Sequence, residues 1–98
     1  MTDPTDPTPE RDFSALSGGG ADQRARARDA VQRVISWYGR ELMQQRRSDA
    51  PDQARTEQLQ AGLTKAQEDQ RRLPHVDDDQ VQQLADRYAA LYQELTES

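Results

Sequence analysis

VQQLADRYAALYQEL, residues 81–95, places Val81, Leu84, Tyr88, Leu91 and Leu95 at steps of three and four. That spacing puts all five on one stripe of an α-helix, the seam by which a helix packs on other helices. The stretch announces packing and carries no catalytic residue type in a recognisable pattern. Five side chains cannot hold such a helix folded alone, so the rest of the chain has to supply the other side of the contact.

The nearest match lies upstream. Ala27, Val31, Val34, Ile35, Tyr38 and Leu42 fall on one face of a helix expected over residues 22–47, with Asp22 as its N-cap and Arg46 and Arg47 at the end that favours cations. Ser48-Asp49-Ala50-Pro51 stops this helix and starts another: Ser or Asp can cap, and proline is tolerated in a first turn. The second helix, about residues 51–73, is poor in apolar residues. Leu59, Leu63, Ala66 and Leu73 line one side, and Gly62 interrupts them at about 1 kcal/mol relative to alanine. Pro74 ends it. Asp77 and Gln80 then form an acidic capping box ahead of a third helix over residues 78–96.

Two short connections make neighbouring helices antiparallel. The expected fold is therefore all-α: a three-helix antiparallel bundle, or an elongated helical hairpin with a third arm, in one domain over residues 21–98. Residues 1–20 read as a disordered leader, since Pro4, Pro7 and Pro9 alternate with Thr and Asp and Ser17-Gly18-Gly19-Gly20 is a flexible tether. Phe13 and Leu16 are its large apolar residues, available to dock as a short linear element.

Composition narrows the function classes. Of 98 residues 33% are hydrophobic and 32% charged, so the core must be thin and self-association through the first and third helices is expected. There is no cysteine for a disulfide or thiolate metal site, and His75 is the one histidine. No apolar run reaches signal-peptide or membrane-spanning length, which makes a cytoplasmic location the default expectation. The predominance of Arg over Lys resembles the coding bias of a high-GC, actinobacterial-like genome.

The net charge of -5 is unevenly divided: residues 1–20 carry -3, residues 21–47 carry +4 and residues 48–98 carry -6. Arg24, Arg26 and Arg28 make the candidate nucleic-acid contact, in a helix extended by Arg33, Arg40, Arg46 and Arg47. Helical residues two apart point in different directions, so intramolecular charge pairing is the competing use. Asp77-Asp78-Asp79 lacks the alternating ligands, glycine and terminal glutamate of a calcium loop and reads as helix capping. His75 reads as a linker residue, Gly18-Gly19-Gly20 has no phosphate-loop context, and Ser14, Ser17, Ser36 and Ser48 have no histidine partner in a nucleophile setting. No enzyme, metal or cofactor is expected.

Trp37-Tyr38-Gly39 resembles the Trp-x-Gly signature of the WXG100 family, small helical-hairpin proteins of about this length exported by type VII secretion. The resemblance implies a motif in the turn between two long helices. Here the tripeptide interrupts the pattern from Val31 to Leu42, Tyr88 and Tyr92 lead four positions on to Tyr92 and Thr96 instead of an acid, and Pro51 and Pro74 would break a second long helix. Read from the residues themselves, Trp37 is an anchor in the bundle or at an interface, and Gly39 allows close helix approach.

The leading expectation is a non-enzymatic helical interaction module, an adaptor or regulatory protein that binds itself or a partner helix. Its contact residues are Trp37, Tyr38, Leu42, Tyr88, Leu91, Tyr92 and Leu95, some of which must be core. A nucleic-acid-associated regulator is the second expectation, and a type VII secretion-associated helical protein the third.

Overall fold

A computed structural model describes the backbone of residues 8–97 and the side chains of residues 22–97. Its elements are α1 (Thr8–Arg47), α2 (Gln53–Arg72), a single 3₁₀ turn (Leu73–His75) and α3 (Asp78–Glu97), with no strand among the described residues. Of the leader read over residues 1–20, residues 1–7 and the side chains of Phe13 and Leu16 lie outside the described residues, while the backbone of residues 8–20 is helical. The backbone of α1 already begins at Thr8, so Asp22 stands inside the helix and is not its N-cap. No proline separates Pro9 from Pro51, and glycine weakens a helix by about 1 kcal/mol without forbidding it.

The three helices run up, down and up. Glu41 meets Arg55 at one end of the α1–α2 pair, and Arg24 reaches Leu73 at the other, which makes the two antiparallel. Arg24 also meets Asp78 at the start of α3, while Trp37 and Leu95 share a depression near its end, so α3 lies parallel to α1. Of the two arrangements expected, the three-helix bundle is the one adopted, with α2 and α3 both packed along α1.

Both connections follow local capping chemistry. Ser48 N–H donates to the Gln45 carbonyl at 3.2 Å, closing α1. Pro51 precedes α2 instead of opening it, and Asp52 is the N-cap: its backbone is extended and its carboxylate accepts the Arg55 N–H at 3.1 Å. The Gln45 side chain in turn accepts Asp52 N–H at 2.9 Å, so the cap is tied back to α1. Downstream, Pro74 converts the end of α2 into the 3₁₀ turn. Asp77 then accepts the Gln80 N–H at 2.9 Å, the first half of the expected capping box.

The core joins the two faces expected to meet. Ala27, Val31 and Val34 of α1 pack with Val81, Leu84 and Tyr88 of α3 in one buried cluster, completed by Ala66 and Leu73. Ile35, Tyr38, Leu91, Tyr92 and Leu95 lean on it half-buried. The seam of α3 is thus covered within a single chain. Gly62 lies in an unbroken α2, and it is this glycine, not Gly39, that permits close approach. A Cβ at Gly62 would come within 2.7 Å of Tyr38 Cε1 and closer still to Cζ and Oη, whereas one at Gly39 would meet nothing within 4 Å. The ring of Tyr38 rests where α2 has no side chain.

Candidate functional site

The seven aromatic and leucine contact residues divide between core and surface. Leu42 and Tyr88 are buried; Trp37, Tyr38, Leu91, Tyr92 and Leu95 are half-buried. Trp37 and Tyr38 make an edge-on pair, with ring centroids 5.3 Å apart at 79°. The Arg55 guanidinium lies 5.9 Å from the Trp37 ring centroid and 3.9 Å from the Glu41 carboxylate. Trp37 therefore anchors the start of α2 to α1. The Trp37-Tyr38-Gly39 tripeptide sits within α1, and the α1–α2 turn comes only at residues 48–52.

The three arginines at 24, 26 and 28 go to two places, Arg24 and Arg28 bordering one depression and Arg26 another. Arg24 donates to the carbonyls of Leu73 at 2.7 Å and Val76 at 2.9 Å and lies 3.5 Å from Asp78, so it clamps the α2–α3 connection onto α1. Arg26 lines the groove between α1 and α3, and Arg28 borders a small depression beside Gln70, Leu73 and Pro74. What aligns instead is Arg26, Arg33, Arg40 and Arg47, seven residues apart and all exposed. A seven-residue repeat holds position on a helix to within about 20° per step. Among the described residues none of these four makes an ion pair.

Beside that stripe runs an open groove of about 340 Å³. Gln23, Arg26, Ala30 and Arg33 form its α1 bank, and Gln82, Ala85, Asp86, Ala89 and Tyr92 its α3 bank; α2 contributes nothing to it. Ala30 and Ala85 are half-buried on its floor, and Tyr92 closes one end. This groove is walled by α1 and α3 without α2, whereas the roomier depression of about 500 Å³ near the end of α3 also takes Arg55 of α2.

Sequence reasoning overlooked the most unusual side chain. Asp69 is fully buried in α2, and Tyr88 Oη donates to its Oδ2 at 2.5 Å, linking α2 to α3. Its Oδ1 accepts no hydrogen bond; Arg72 and Lys65, both largely exposed, lie 3.5 Å and 3.6 Å away. Burial, then the hydrogen bond to Asp69 and its negative charge, push the Tyr88 phenol well above its ordinary value of 10.0. Burial also raises Tyr38, opposed by the Arg55 cation. The available signal was register: the stripe from Leu59 through Ala66 to Leu73 passes through position 69, where a charge on a packing seam demands a partner.

Asp77 spends its carboxylate on the cap, Asp78 faces Arg24, and His75 is exposed on the 3₁₀ turn. Among the described residues no three His, Asp or Glu side chains group as a metal site, and no helix is long and apolar enough to cross a membrane. The chain matches no family model, and comparison with curated proteins and with solved structures finds no match in either.

Proposed function

We propose that this protein is a non-enzymatic interaction module that receives a helix in the groove between α1 and α3, serving as an adaptor or small regulator. One observation carries the reading: the two helices that form the core also leave, on the side away from α2, an open groove with a small-residue floor and polar rims. A floor of alanines lets a helix axis approach closely, and the half-buried Tyr92 offers an aromatic anchor at one end. The cytoplasmic location expected from the sequence belongs to this reading. A photo-crosslinking residue placed at Ala89 in the producing cell tests it. The expected product is a discrete polypeptide adduct that is absent when the same residue replaces the exposed Gln60 of α2; equal labelling at the two positions, or none, overturns the reading.

The arginine stripe supports a second reading, contact with nucleic acid. Arg24 is a poor probe of it because that side chain holds the fold together. Retention on DNA that falls with salt and disappears when Arg26, Arg33 and Arg40 are replaced by glutamine is the outcome expected of this reading; retention unchanged by the triple substitution removes it.

A further inference from the structure

The groove between α1 and α3 has one basic and one acidic bank. Arg26 and Arg33 stand on α1 and Asp86 on α3, and no ion pair joins them among the described residues. Asp79 precedes Asp86 by seven residues, the same spacing as Arg26 and Arg33, and both carboxylates are exposed. Arg33 and Asp86 border the same groove from its two banks, and Arg26 and Asp79 stand one seven-residue step nearer the starts of the parallel pair.

A twofold axis running along such a groove exchanges its banks. It lays α1 of one copy over α3 of the other, both parallel, and a closed twofold admits no sliding, so residues level within one chain are level across the contact. Arg26 then meets Asp79 of the second copy and Arg33 meets its Asp86, each pair formed twice. The alternative axis, perpendicular to the helices, would set arginine stripe against arginine stripe. Phosphate is disfavoured in the same groove by the acidic bank.

We infer that the occupant of the groove is a second copy of this chain, related by a twofold parallel to the helices and closing a four-helix core from two α1–α3 pairs. The inference rests on the helix-binding reading above and specifies its partner.

Sedimentation equilibrium of the full chain, alone and as charge-reversed variants, tests it. The wild-type protein should approach twice its 11.1 kDa mass, and less readily at high salt. Arg33→Glu sets a carboxylate against Asp86 of the second copy and Asp86→Arg sets a guanidinium against its Arg33, so each variant alone should dissociate at least tenfold more readily. An equimolar mixture of the two should associate again, because each crossed pair again sets a carboxylate against a guanidinium. Both positions are exposed, and circular dichroism checks that each variant keeps its helices. A wild-type monomer at every concentration, single variants as tightly paired as the wild type, or a mixture that fails to recover would each overturn the second-copy contact. Adduct formation at Ala89 with a different polypeptide, in a chain that stays monomeric, overturns this inference and leaves the helix-binding reading standing; absence of both removes the two together.

Discussion

Asp69 and Tyr88 join α2 to α3 by a buried hydrogen bond. Removing the phenolic hydroxyl leaves a carboxylate oxygen buried without its donor, so Tyr88→Phe should destabilise the protein by about 1–3 kcal/mol in urea denaturation. Replacing both partners with apolar groups, as in Asp69→Leu with Tyr88→Phe, should recover much of that loss, since no orphaned group remains. A double variant no more stable than Tyr88→Phe alone would contradict the assignment. The same pair predicts a pH dependence. The folded state holds the Tyr88 phenol above its ordinary 10.0, so its contribution is fully present below pH 10 and is lost as the pH rises further. Alkaline denaturation followed by phenolate absorbance should show the folded chain ionising later than the denatured one, and Tyr88→Phe should narrow that gap.

Gly62 and Tyr38 form a second residue-level pair. In an ordinary exposed helix a Gly→Ala change adds about 1 kcal/mol of stability. Here the new methyl would strike the Tyr38 ring, which is held from the other side by Trp37. Gly62→Ala is therefore expected to destabilise the wild-type protein and to stabilise a Tyr38→Ala background by the usual amount. Equal effects in both backgrounds, measured by thermal melts, would show that the two residues are not in contact.

At the level of elements, the connection between α2 and α3 hangs on Arg24. Its two hydrogen bonds to carbonyls are charge-assisted, and its side chain is 29% exposed. Arg24→Met should therefore cost near the lower end of the roughly 1.5–3 kcal/mol range for hydrogen bonds to a charged group. The loss should be local first: amide exchange should accelerate at Leu73, Val76 and the opening turn of α3 before the centre of α1 responds. Uniform acceleration along the chain would refute a local clamp. Helix number, the proline boundaries and the Asp77 cap were legible in the sequence because each depends on neighbours within a few residues. Arg24's role was not, since its acceptors lie 49 and 52 positions away.

At the scale of the whole molecule, the proposed second-copy contact ties stability to concentration. If two copies close the groove, the melting temperature must rise with protein concentration by mass action. Calorimetry over a hundredfold concentration range should show that rise for the wild type and none for Arg33→Glu. A melting temperature that is high and independent of concentration would mean that the monomer is self-sufficient.

Periodicity and punctuation in the sequence by themselves determined that the chain is helical, where α2 and α3 begin, and which α1 and α3 residues face inward. Those properties arise from contacts within one turn or from alternation repeated along a helix, and both are written locally. Only the tertiary structure decided that the α3 seam closes on the same chain's Val31 face, that Asp69 and Tyr88 pair across two helices, that Gly62 and not Gly39 makes room, and that a basic and an acidic row border one groove. Each of these depends on the rotation and depth at which separate helices meet, which side-chain shapes set collectively and no single stretch of sequence encodes.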